Sequence, residues 1–385
     1  MPIRTSQKAA QFQESVIREM TRLFLAHGGP DGVNLAQGFP DFPAPEAMKE
    51  AACVAIQSDI NQYAITWGAK SLREAIAAKT ERHYGVRPDP EREITVACGA
   101  TEAMMAALLA LTDPGDEVIV FEPAYDSYIP NIELNGAKAI AIPLNETDYS
   151  IDWELVRTAI TPQTKAILIN SPHNPTGSVL SEEDIRQLHD LVQHTEIFIV
   201  SDEVYEHLIY DGYQHHSMLR YPALFERSFV CFSFGKTYSC TGWKLGYCIA
   251  PATLTAEFRR IHQFNAFTCN SPMQVALSTF IRQPEHYLEL GPSMQRHRDY
   301  FLEQMKGSRF KFLPSHGSYF ICANYRNISE ETDDQFVQTL TREAGVALIP
   351  LSAFYQHKRV SHTVRFCISK KMETLALAAE RLSKL

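Results

Sequence analysis

Three apolar runs of this 385-residue chain end in residues able to do chemistry. "SFVCF" (228–232) leads through Ser233, Phe234 and Gly235 to Lys236. "ILINSPH" runs into Asn174-Pro175-Thr176-Gly177, and "IFIVSD" ends on Asp202 with Tyr205 three residues later. Lysines ordinarily stand where water solvates the ammonium, so one that follows a strand-like run is either paired or chemically employed. Partial desolvation lowers an ammonium pKa from its reference of ~10.4 and frees the lone pair that attacks a carbonyl. Arginine stays protonated and has no such use. Read singly, each residue also has a structural explanation. The NPTG step is a turn, "DEVY" a helix start favoured by the dipole, and Lys236 a long side chain reaching water along an apolar surface.

The elements that must position these residues are legible as patterns. Residues 8–27 place Phe12, Val16, Met20, Leu23 and Phe24 at helical spacing, and Gly28-Gly29-Pro30 stops them. The loop "NLAQGFPDFPAP" follows, then a helix from about Pro45 to Ser58. Up to about residue 285, helical segments at 70–84, 101–112, 152–160 and 181–194 alternate with the strands "EITVACG", "EVIVFEP", "AIAIPL", "AILINSP", "IFIVSD", "FVCFSF" and "LGYCIAP". A long helix is expected near 253–282. This alternation predicts an α/β fold, a mostly parallel sheet between helices, whose ligands sit beyond the carboxyl ends of the strands. After 285 come a long helix, "GSYFICA", a helix over 333–344, "VALIP", "TVRFCIS" and a terminal helix from about Lys371, a smaller α+β unit. The expected division is a large domain over 46–284 and a discontinuous small domain made of 1–45 and 285–385.

Composition narrows the function. The chain is 45% hydrophobic and 21% charged, with a formal charge of -9 and no long block of either sign, so the basic footprint of a nucleic-acid binder is absent. The longest apolar run, "AMMAALLAL", is about half of the ~20 residues a membrane helix needs, and the N-terminal sequence lacks the apolar core of a signal peptide. Eight cysteines scattered through apolar stretches, with no C-x-x-C pair, read as buried reduced thiols. A cytoplasmic protein acting on small molecules is expected. No metal-ligand spacing is present; His215-His216 reads as a solvated loop pair.

Taken together, the motifs resemble the fold-type I, pyridoxal-phosphate-dependent aminotransferases of class I. The resemblance extends from "NLAQGFPDFPAP" through "YAITWGAKSLREAIA", "ACGATEA", "EPAYDSY", "NSPHNPTG", "SDEVY" and "SFGKTYSCTGWKLGY" to "VRFCIS". It implies that Lys236 forms the Schiff base with the cofactor aldehyde. Asp202 would keep the pyridine nitrogen protonated, as a nearby carboxylate favours a partner's charged form, so that the ring serves as electron sink. Asn174 and Tyr205 would hydrogen-bond the phenolic oxygen, and Tyr125 would stack on the ring. Gly99-Ala100-Thr101 opens a helix whose free N–H groups suit a phosphate, with Ser233 and Lys244 completing the site. Many relatives have arginine at position 244, and lysine keeps the charge but not the bidentate fork. By the same resemblance Tyr63 reaches the phosphate of the neighbouring subunit, which implies a homodimer. Arg365 grips the substrate α-carboxylate through two parallel bonds, and Gly38, lacking a Cβ, approaches that carboxylate with its backbone.

The wording of "QGFPDF", "YAITWG" and "TGWKLGY" is most similar to the methionine and kynurenine/glutamine aminotransferase branch. That implies ping-pong transfer from large, apolar or aromatic amino acids, with Phe39, Tyr63, Phe267 and Phe354 as candidates for a sulfur-tolerant pocket. A kynurenine/glutamine enzyme with C–S β-lyase activity on cysteine conjugates is the alternative. An aspartate enzyme would need a second cation that the sequence does not place. A regulator built on this domain would need an added basic DNA-binding domain, whereas only one helix and a loop precede the sheet. Relatives often carry cis bonds before prolines at the positions of Pro123 and Pro175, and the same is expected here.

Overall fold

The computed structural model describes residues 6–385 apart from Gln13 and Lys358. Its strands are β1 (Val33–Asn34), β2 (Ile94–Ala97), β3 (Glu117–Glu122), β4 (Lys138–Pro143), β5 (Thr164–Asn170), β6 (Phe198–Asp202), β7 (Ser228–Ser233), β8 (Gly246–Ile249), β9 (Lys311–Phe312), β10 (Phe320–Asn324), β11 (Val346–Ala347), β12 (Ile349–Pro350) and β13 (Thr363–Cys367). Seven of them form one sheet in the order β2-β8-β7-β6-β5-β3-β4, in which only β8 runs antiparallel to its neighbours. All seven strands expected between 93 and 251 are present. Their continuous apolar runs follow from helices covering both faces, so no polar face is required.

Register brings the chemistry-bearing ends together. Asn170 at the end of β5 pairs with Asp202 at the end of β6, and Asp202 pairs with Cys231 near the end of β7, two residues before Ser233. A second, antiparallel sheet has the order β12-β13-β10-β9 and carries Arg365 on its buried strand β13. β1 pairs in parallel with β11, so the N-terminal segment joins the C-terminal unit.

Several expectations need correction. The helix over 8–27 is two helices, Gln7–Ala10 and Val16–His27, because Ser15 takes an extended conformation at the cap of the second. The long helix near 253–282 divides into Ala252–Asn265 and Ser271–Phe280. Phe267 adopts φ +68°, and the Asn270 side chain caps the second helix by accepting from the Met273 amide. "VALIP" splits between two sheets as β11 and β12, while the two-residue strands β1 and β9 are too short to leave a periodic signal. His215 and His216 are not a solvated pair. His215 is buried with Nε2 2.9 Å from Glu203, and His216 lies 2.6 Å from the Tyr221 hydroxyl. All eight cysteines are free, but Cys53 is exposed and Cys98 partly so, its sulfur 3.3 Å from that of Cys269.

Directly behind the strand end that carries Asp202 and Tyr205, the sheet hides an ion pair. Glu206 accepts from Lys79 and from the Tyr84 hydroxyl, all three buried. Burial works against both charges, yet Lys79 and the neighbouring histidines hold the Glu206 carboxyl well below the usual carboxylate range. Removing one partner leaves an uncompensated buried charge. Lys79→Ala is therefore expected to lower unfolding stability by about 3–5 kcal/mol, measured by urea denaturation; an unchanged midpoint would show that the pair contributes nothing.

Candidate active site

The carboxyl ends of β5, β6 and β7 open onto a cavity of about 230 Å³. Lys236 reaches it from a one-turn helix, Phe234–Thr237, that begins where β7 stops. Its Nζ donates to the Gly38 carbonyl at 2.9 Å and lies 5.8 Å from the centre of the Tyr205 ring. Burial first, and the nearby Arg365 and Lys244 charges second, lower the Lys236 pKa to about 8 against the opposing pull of Cys367 and Asp202. The amine is therefore within reach of its neutral, nucleophilic form at mild pH.

Asp202 faces the same space. Its Oδ2 accepts from the Tyr128 hydroxyl at 2.6 Å and its Oδ1 from the Val204 amide at 3.2 Å. Burial raises its pKa to about 6, with both hydrogen bonds and Lys236 opposing. A cationic partner brought against this carboxylate would favour its ionised form. Tyr128 is a site residue that sequence reasoning missed, although it stands three positions after Tyr125 in the same motif. Its ring meets that of Tyr125 edge-on, centroids 5.5 Å apart.

The helix Ala100–Leu111 supplies an anion cradle. Its cap residue Gly99 has φ +80° and no side chain caps the first turn. Lys244, held at φ +55° after a short turn, lays its chain across this start: a Cβ built on Gly99 would lie 3.5 Å from Lys244 Cδ and 3.6 Å from Nζ. Gly246 is needed here too, since a Cβ there would come within 2.8 Å of the Ala100 amide nitrogen. The uncapped N–H groups, the helix dipole and one ammonium converge on one spot.

Arg365 closes the cavity from β13. Its Nη1 donates to Asn174 Oδ1 at 2.9 Å and its Nη2 to the Ala36 carbonyl at 2.7 Å, while the buried Nε has no partner among the described residues. Phe320 and Phe354 flank the guanidinium, with ring centres 4.1 and 4.9 Å from Cζ. Asn174 is oriented through its own amide, which donates to Asn170 Oδ1 at 2.8 Å. The bonds before Pro123 and Pro175 are cis, as expected, and so is that before Pro172.

Of the residues singled out from sequence, Gly38, Gly99, Ala100, Thr101, Tyr125, Asn174, Asp202, Tyr205, Ser233, Lys236, Lys244 and Arg365 all line this one cavity. Tyr63 and Phe39 do not. Tyr63 is 79% exposed and packs edge-on against Phe267, and Phe39 is 40% exposed. The expected pocket of Phe39, Tyr63, Phe267 and Phe354 is thus not assembled within one chain. Aromatic content marked these four, but only the fold decides which way a ring points. A second cavity of about 270 Å³ lies beyond Tyr128 and Asn170. Its polar groups pair with neighbours, Asp148 with Ser150 and His316 with Asp211.

Residues 30–382 match the family model of aminotransferase class I and II. The chain belongs to this aminotransferase family. It is 42% identical to the methionine aminotransferase of Escherichia coli over 100% of this chain and 99% of that protein, and the solved structure of that enzyme superposes with a TM-score of 0.95 over the whole of both chains. The structure of N-succinyldiaminopimelate aminotransferase from Mycobacterium tuberculosis, 37% identical, covers 99% of this chain and 100% of its own with a TM-score of 0.94. Human kynurenine–oxoglutarate transaminase 1 is 34% identical over 95% of this chain and 94% of its own.

The aminotransferase therefore uses pyridoxal phosphate, and the cavity fits that group: an uncapped helix start with Lys244 for the phosphate, a carboxylate for a ring nitrogen and an amine for an aldehyde. One kinetic consequence follows from the Lys236 pKa of about 8. The neutral amine grows as pH rises through that value, so loading of the cofactor-stripped protein is expected to speed up from pH 7 and level off above about pH 9. Following the visible absorbance of the bound cofactor by stopped flow checks this. A rate that does not change over the range counts against it.

Proposed function

We propose that this aminotransferase moves the amino group of methionine, and of other large apolar or aromatic amino acids, to a 2-oxo acid by ping-pong turnover. The observation that carries the reaction is the placement of a part-buried amine, Lys236, in one cavity with a buried arginine, Arg365, that has no carboxylate partner among the described residues. The choice of methionine is supported by full-length similarity to the Escherichia coli enzyme. The bound cofactor supplies an aldehyde carbon for the amine and a ring that accepts the electron pair released at the substrate Cα.

The protein's own groups do the rest. Arg365 receives the α-carboxylate with its unpartnered Nε and remaining guanidinium face, aided by the Gly38 backbone, and this fixes which substituent of Cα faces Lys236. Lys236, as free amine, would take the proton from Cα and give it, on the same side, to the carbon the cofactor's aldehyde contributes rather than back to Cα, a general acid–base role suited to a pKa near 8. Asp202, oriented by Tyr128, holds negative charge where the ring nitrogen needs it. Asn174 and Tyr205 present polar groups to the ring's oxygen, and Tyr125 covers a ring face. Gly99, Ala100, Thr101, Ser233 and Lys244 hold the phosphate. A second copy of the chain supplies Tyr63, whose exposure suits a reach beyond its own subunit. The active form in this reading is a cytoplasmic homodimer, each subunit divided into a large domain over 46–284 and a small one of 1–45 and 285–385. Among the described residues no helix is long and apolar enough to cross a membrane.

Similarity to the kynurenine enzyme supports the alternative, a kynurenine or glutamine aminotransferase that also cleaves cysteine conjugates. Mixing the loaded protein with methionine, without an oxo acid, separates the readings. A shift of the cofactor's absorbance with release of the matching oxo acid is expected. No shift with methionine but a shift with kynurenine would transfer the assignment, and pyruvate from a cysteine conjugate would add the lyase.

A further inference from the structure

Two cations lie buried five residues apart at the end of β13. Arg365 is 1% exposed and Lys370 is 3% exposed, and among the described residues neither has a carboxylate oxygen within 4.0 Å. Burying an ion without a counter-charge costs several kcal/mol, so what each touches is informative. Both hold the same stretch of backbone. Arg365 Nη2 donates to the Ala36 carbonyl at 2.7 Å, and Lys370 Nζ donates to the Phe39 carbonyl at 2.8 Å, with the Gln37 carbonyl 3.5 Å away. The Cys367 amide takes the Leu35 carbonyl at 2.9 Å, and the Tyr319 hydroxyl takes that of Gly38 at 2.7 Å. Downstream, the Asp41 carboxylate accepts from the Lys371 amide at 2.7 Å and the Thr374 hydroxyl at 2.9 Å.

Five consecutive carbonyls, Leu35 to Phe39, are thus committed, mostly to residues 365–370. The amides behave differently. Those of Ala36 and Gln37 donate to Asn34 Oδ1, whereas those of Gly38 and Phe39 have no acceptor among the described residues. Gly38 lines the cavity beside Arg365, and the two share a platform: Phe320 lies under the guanidinium, and a Cβ on Gly38 would come within 2.8 Å of its ring. The free Gly38 N–H and an arginine with a spare donor, side by side in one cavity, suit an anion. Lys370 does not line that cavity, but it holds the Gln37 carbonyl, which shares a peptide plane with the Gly38 amide, and the Phe39 carbonyl, and it adds a second buried positive charge.

We propose that Lys370 is a positioning residue for the substrate carboxylate, clamping the Gln37–Phe39 backbone so that the free Gly38 amide stands with Arg365. This rests on the reading of Arg365 as the carboxylate's partner. Without the clamp, the loop keeps its ties through Asp41, Arg365 and Tyr319 but loses the hold on the Gln37 and Phe39 carbonyls. The Gly38 carbonyl that faces Lys236 keeps its bond from the Tyr319 hydroxyl, so the defect is expected in binding more than in proton transfer.

The test uses the loaded enzyme and 3-(methylthio)propionate, which has the carboxylate and thioether of methionine but no amino group, titrated by calorimetry. Lys370→Met keeps most of the side-chain volume without the charge. Its Kd for this acid is expected to rise about 10–30-fold, with a matching rise in KM for methionine and kcat within about threefold of wild type. Lys370→Arg restores part of the loss, and the dissociation constant of pyridoxal phosphate is unchanged. A Kd within about twofold of wild type in Lys370→Met overturns the proposal. So does equal weakening of the cofactor, which would mean a general loosening of the fold. If the wild type ignores the acid, or Arg365→Met binds it equally well, the carboxylate reading fails and Lys370 has nothing to position.

Discussion

Replacing Lys236 by alanine is expected to lower single-turnover amino transfer from methionine by about 10⁴-fold or more, since in the proposed mechanism one side chain is both the cofactor's attachment point and the Cα base. The same variant should still bind pyridoxal phosphate. The helix start at Ala100, Lys244 and Asp202 do not depend on the lysine, whose one hydrogen bond among the described residues is to the Gly38 carbonyl. Rapid mixing with methionine, and separately a dialysis measurement of cofactor affinity, distinguish the two effects. Retention of more than about one hundredth of the rate would mean that another group moves the proton. Added primary amines of small volume are expected to restore part of the rate in proportion to their neutral fraction.

Arg365→Met is expected to lower kcat/KM for methionine by about 10²–10³-fold, the effect of removing one partner from a desolvated charge pair. The loss should be specific to the carboxylate. A primary amine without that group should react with the variant and the wild type at similar rates, measured from the cofactor's absorbance. Folding should survive, because the guanidinium is itself a buried charge with no ion-pair partner, flanked by Phe320 and Phe354, and methionine fits such an apolar slot. Equal losses for the amine and the amino acid would assign Arg365 a structural role through Asn174 instead.

Much of this site was legible in sequence because it stands at the ends of strands. A run such as "FVCFSF" announces its strand by apolar content, and the polar residue that terminates it must lie at the sheet's carboxyl edge, where α/β proteins bind ligands. Lys236, Asp202 and Asn174 were found that way, and the order of the motifs identified the family. Gly99 was legible for a similar reason, standing between a strand and the apolar run of a helix; its φ of +80° is a finding of the structure. Tyr128 and Lys370 were not, because nothing in a helix position or a loop lysine shows what lies across a gap of 74 or 331 residues. The buried Lys79–Glu206 pair is of the same kind.

The sequence by itself determined most of the local elements, the sheet's parallel character and which polar residue types gather at the strand ends, because these depend on short-range periodicity and on strand ends. Only tertiary structure decided that Phe39, Tyr63 and Phe267 leave the cavity while Phe354 sits against Arg365, and that His215 is buried rather than solvated. Side-chain direction and desolvation are properties of packing between distant segments. The same holds for the charges: whether a lysine is an ordinary ammonium or an amine with a pKa of about 8 depends on what the fold places around it.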